Sequence, residues 1–150
     1  MILPDFKAFP RKGRIIGIDW GMRRIGVAVS DPSREFVFVR DPICVARGSG
    51  VAGAEMVARM AKEEQVVGII VGLPVRNDGT QSETTKKVYA FIEDLLKMTD
   101  LPICVVEENL TSNEAQEALG RVRVAELKAR LDSEAARVIL ENAIAIINRT

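Results

Sequence analysis

The chain has 150 residues, 47% of them hydrophobic and 28% charged, which suits one soluble domain with a single core. Lys plus Arg and Asp plus Glu each number 21, so net charge gives no reason to expect nucleic-acid binding and any basic surface must be local. Histidine is absent, which excludes Ser-His-Asp and Cys-His triads, histidine-ligated zinc and imidazole bases, and leaves carboxylates, Lys/Arg, hydroxyls and two cysteines to carry any chemistry.

Residues 1–14 contain Pro4, Pro10 and a basic cluster, Arg11, Lys12 and Arg14. They read as a loosely held arm ahead of a single domain over residues 15–150. The N-terminus has no long apolar core, so a signal peptide is not expected. The longest apolar run, residues 66–75, is too short to span a bilayer, and the expected compartment is the cytoplasm.

Residues 15–20 and 25–30 are rich in β-branched side chains around a turn-like insert and predict a hairpin. Asp31-Pro32-Ser33 makes a second turn. A third strand is predicted over 35–39, continuing through Ile43, Cys44 and Val45. Gly48-Ser49-Gly50 breaks the chain, and Met56, Val57, Met60 and Ala61 then recur at helical spacing within 54–64. The Val/Ile run at 66–71 predicts a strand covered on both faces, and so a parallel one. Asn77-Asp78-Gly79 is a turn signal, and Thr80 with Glu83 has capping-box spacing for a helix to about Met98. A strand over 102–106 stops at Glu107-Glu108. Thr111 and Glu114 repeat the capping box, with Gly120 as a stop. Residues 121–130 read as a charged, solvated connection, and 132–148 as the last helix. Cys44 and Cys104 sit among apolar neighbours and are expected to be buried, reduced thiols.

The order β-β-β-α-β-α-β-α-α implies an α/β fold, a mixed sheet with helices on both faces. Functional groups in such sheets gather beyond the carboxyl ends of the parallel strands. Asp19 closes the first strand and Glu107 and Glu108 close the last, so all three belong to one sheet edge. Asp132 opens the last helix on the apolar face that holds Ala136, Ile139, Ala143 and Ile146, where it would also serve as an N-cap. Carboxylates that converge repel one another unless a cation intervenes, and hard oxygen ligands suit Mg²⁺ or Mn²⁺. A carboxylate site with such ions is able to hydrolyse phosphodiesters.

Four blocks carry a family resemblance: GIDWGMRRIGVAVSD (17–31), VGLPVRNDGTQS (71–82), EENLTS (107–112) and LDSEAARVILE (131–141). In that order and spacing the chain resembles the YqgF/RuvX family of RuvC-like nucleases. The resemblance implies a ribonuclease H-like fold, with a five-stranded mixed sheet in which two parallel strands flank a three-strand antiparallel meander. It implies a three-carboxylate catalytic site of Asp19, Glu108 and Asp132, with Glu107 or Glu108 completing the metal ligands. Asn109 stands where the family usually has arginine, and Glu107 where it has aspartate. The implied activity is 5′-end maturation of pre-16S ribosomal RNA, with Holliday-junction resolution as the alternative and ribosomal particles as possible partners.

Backbone N–H groups at Asp78, Gly79 and Thr80 would hold a phosphate at a helix start. Arg23 and Arg24 beside Asp19, Arg121 and Arg123 near Asp132, and Thr111 complete the expected nucleic-acid contacts. Two rival readings fit the same residues. The glycine-rich first block also looks like the phosphate loop of actin-like and sugar-kinase ATPases, which need a second domain that this chain has no room for. The same fold would also serve as a non-catalytic RNA- or ribosome-binding module.

Overall fold

The computed structural model describes residues 2–21, 23–45, 50–73, 83–107 and 124–150; of these, 50, 51, 83 and 124–133 are described for their backbone alone. The strands are β1 (Ile15–Asp19), β2 (Arg24–Ser30), β3 (Val37–Cys44), β4 (Gly68–Leu73) and β5 (Ile103–Glu107). The helices are α1 (Gly50–Glu63), α2 (Glu83–Leu96) and α3 (Val124–Arg149).

The five strands form one sheet in the order β3-β2-β1-β4-β5. The β3-β2-β1 part is an antiparallel meander, and β4 and β5 add parallel to β1. β4 is buried at every position, as its wholly uncharged sequence, Gly-Ile-Ile-Val-Gly-Leu, requires of a strand covered on both faces. β3 is an edge strand. Between the Ile25–Ile43 and Val27–Arg40 pairs its register shifts, so that Asp41 and Pro42 oppose Gly26 alone. A proline lacks the N–H that a central strand needs, and an edge bulge is where a sheet tolerates one.

Strand alternation sends side chains to two cores. Ile16, Ile18, Val27, Ile69 and Val71 pack under Val57, Val88, Phe91 and Leu95 of α1 and α2. Ile15, Ala28, Ile70, Cys104 and Val106 pack under Ala136, Ile139, Leu140 and Ala143 of α3. α3 comes very close to β1. A Cβ on Gly17 would lie 2.8 Å from Leu140 Cβ and 3.0 Å from the Ala136 carbonyl oxygen, so only glycine lets the helix sit there.

Three expectations need correction. The N-terminal arm is not loose. Phe6 and Phe9 are buried beside α3's core, Ile2 bridges in parallel to Ile103, and the Leu3 N–H donates to the Ile103 carbonyl at 2.8 Å. A Cβ on Gly68 would meet the Phe9 ring at 2.4 Å, so the strand has dispensed with a side chain to admit the arm. Cys44 is exposed on the edge strand, while Cys104 is buried as expected. The last helix begins at Val124 and not at 132, so Asp132 stands two turns inside it and is no N-cap.

Candidate nuclease site

Asp19 is the last residue of β1 and is half-buried, after four fully buried neighbours. It pairs with Gly26 of β2. Alternation places it with Ile15 and Gly17 on the α3 face. Ala136 and Leu140 lie over Gly17, while Glu141, Ile144 and Asn148 lie near Val37, at the other end of the sheet. α3 therefore runs antiparallel to β1, and its earlier turns head toward the end that carries Asp19. Asp132 stands one turn before Ala136 in that direction, and its side chain is outside the described residues.

Glu107 ends β5 opposite Leu73. Through the pairs Ile18–Val71 and Gly72–Val106, Asp19 is level with Val106, one residue short of Glu107. Two strand spacings separate the two strand ends, about 10 Å. Their directions differ. Cys104 and Val106 belong to the α3 core and Ile103 to the other, and Leu73 also belongs to the other. Exposed Glu107 thus sits on the α1/α2 face, opposite to Asp19. Glu108 lies outside the described residues, as do Asp78, Gly79, Thr80, Thr111, Arg121 and Arg123. Among the described residues no three acidic or cysteine side chains gather as a metal group.

Arg23 is exposed in the β1–β2 turn, where its carbonyl accepts the Val45 N–H at 2.9 Å. Arg24 opens β2, half-buried, and by alternation with Ile25 it lies on Asp19's face. Its Nη1 is buried with no hydrogen-bond partner among the described residues. A guanidinium held in that state beside a carboxylate edge is suited to a phosphate oxygen. The unmet donor was not legible in the sequence, which shows only two adjacent arginines. Trp20 packs against the α1/α2 core, next to Phe91 of α2, and is a packing residue.

The family model described as RuvX, Holliday junction resolvase, matches residues 13–145. The chain belongs to the RuvX family. A curated relative from Bradyrhizobium sp. (strain BTAi1 / ATCC BAA-1182) is 34% identical over 151 residues, covering 95% of this chain and 91% of its own length. One from Nitratidesulfovibrio vulgaris (strain DSM 19637 / Miyazaki F) is 37% identical over 131 residues, covering 86% and 91%. Both carry the name "Putative pre-16S rRNA nuclease". Among solved structures, T. thermophilus RuvC in complex with Holliday junction substrate superposes with a TM-score of 0.60 at 14% identity, over 92% of this chain and 97% of that one. That likeness shows the ribonuclease H-like fold expected of a RuvX member. No helix among the described residues is long and apolar enough to cross a membrane.

Proposed function

We propose that the chain is a divalent-metal-dependent nuclease that cleaves pre-16S ribosomal RNA at the edge built by Asp19, Glu108 and Asp132. The nuclease class is supported by the family and by the names of its relatives. The observation that carries the site is Asp19: an acid at the carboxyl end of the sheet's central strand, half-buried on the face that α3 covers.

The donor set fits a hard cation. The chain has no histidine, and Cys104, the cysteine on the α3 face of the sheet, lies back along β5, so oxygen is the ligand chemistry available at this edge. The alternation of β5 supports Glu108 as the glutamate on Asp19's face, and the antiparallel course of α3 supports Asp132 as the third acid. Bound there, Mg²⁺ or Mn²⁺ would neutralise the scissile phosphate and activate water. Arg24 would orient a phosphate oxygen through Nη1, and Arg23 would hold the backbone on the exposed side. Asp78, Gly79, Thr80, Thr111, Arg121 and Arg123 extend the proposed RNA contacts.

The test offers purified protein pre-16S ribosomal RNA and a four-way DNA junction side by side, with Mg²⁺ or Mn²⁺. Metal-dependent cut at the 5′ end of the RNA is the expected result. Cleavage of the junction alone would replace the substrate assignment with resolution. Binding without cleavage of either, unaffected by chelator, would make the chain a binding module.

A further inference from the structure

A second polar site lies at the β2–β3 turn, at the far end of the sheet from Asp19. Arg34 is only 9% exposed. Its Nε donates to the Gly13 carbonyl at 2.8 Å, and its Cζ sits 6.0 Å from the centre of the Phe9 ring. Nη1 and Nη2 are buried and have no hydrogen-bond partner among the described residues. Those two atoms carry most of the N–H donors of a guanidinium.

Beside it is a cavity of about 390 Å³, lined across from Arg34 by Arg137, Ile144 and Asn148 of α3 and by Phe36 and Val37. Arg137 is already matched: Glu134 accepts from Nε at 2.6 Å and Glu141 from Nη1 at 2.9 Å. Arg34 has no such carboxylate among the described residues, although Glu35 is its neighbour in sequence. Burial without a counter-charge is costly for a cation and draws an anion to it.

We propose that this cavity binds a small oxyanion of the phosphate class through the terminal nitrogens of Arg34. The guanidinium fork matches two oxygens of such an ion. Arg34 is itself one of the residues lining the cavity, so a turn of its fork would present Nη1 and Nη2 to an ion there. Asn148 at the wall adds an amide donor, and exposed Glu35 and Glu141 line the same cavity. Those two acids disfavour a polyanion such as an RNA backbone, so the ligand is a small free ion. The site lies past the start of β1, more than about 13 Å along the strand from Asp19, and is separate from the proposed nuclease edge.

The probe is inorganic phosphate, with thermal unfolding followed in chelator against sodium chloride of equal ionic strength. Saturating phosphate should raise Tm by about 3–6 °C in the wild type and in Arg59→Ala, which removes an exposed arginine of α1 on the opposite face of the sheet. Arg34→Gln should lose that increment. Ala145→Glu, at an exposed α3 position lining the cavity, offers Arg34 a carboxylate; it should raise Tm without phosphate and abolish the phosphate increment. Ala145→Glu decides the matter should Arg34→Gln fail to fold. The proposal is overturned if chloride matches phosphate in the wild type, or if Arg34→Gln or Ala145→Glu keeps the full increment.

Discussion

An acid that ends a buried strand is tolerated when something positive compensates for its desolvation, and Asp19 is such an acid. Asp19→Asn should therefore abolish cleavage while the protein keeps its fold, with Tm in chelator level or raised; full activity at matched metal would end the metal-site reading. The two cysteines make a contrasting pair. Burial, assisted by nearby Asp5, pushes the Cys104 thiol up to about 11, and its Sγ–H donates to the Asp5 carbonyl at 3.3 Å. The thiolate is the reactive form, so at pH 8 Cys104 stays protonated and inert. Exposed Cys44 is open to reagent. Iodoacetamide at pH 8 should label one thiol per native chain and two in denaturant. Native labelling of both would show that the arm leaves Cys104 accessible.

For the proposed site β5 suggests a test by alternation, since Glu107 shares Leu73's face and not Asp19's. Glu107→Gln should leave cleavage within about threefold of wild type, whereas Glu108→Gln should lose it by orders of magnitude; equal losses would mean the chain has left strand geometry at Glu107. The contact of α3 with β1 gives a second test. Gly17→Ala forces a methyl against Leu140 Cβ and the Ala136 carbonyl, and overpacking of this kind costs about 1–3 kcal/mol. Because Asp132 lies one turn along that helix, activity should fall by more than the loss of folded protein accounts for, read as kcat measured on fully folded enzyme. The strands were legible because runs such as Ile15–Ile18 and Val66–Val71 are β-branched apart from one glycine each. The start of α3 was not, because charges over 121–130 suggested a solvated loop. Yet Ala125, Glu126, Leu127, Lys128, Ala129, Arg130 and Leu131 are all strong helix formers, and propensity prevailed from Val124. Asp19 was legible as a misplaced acid, whereas the unmet donors of Arg24 and Arg34 depend on tertiary packing that no sequence period encodes.

At the scale of the molecule, the chain's first residues belong to its core. Phe6 and Phe9 meet edge to face with ring centres 5.8 Å apart, and Phe9 lies beneath Gly68 and beside Arg34. Phe9→Ala should cost about 3–5 kcal/mol, read as a lower urea midpoint with little change in slope; a loss under 1 kcal/mol would restore the loose arm. Prolines and basic residues hid this segment, and two phenylalanines three apart were its only aromatic signal. The bridge from Ile2 to Ile103 also has a consequence in time. A ribosome makes Ile2 roughly 100 residues before its partner, about 5–20 s at ordinary elongation rates. Throughout that interval two aromatic rings wait without a seat, while the hairpin and α1 are free to assemble on local contacts. The earlier-made segment is thus seated only once β5 exists, and when it arrives it covers the Ile103 end of β5's open margin, which would otherwise invite a stranger's strand.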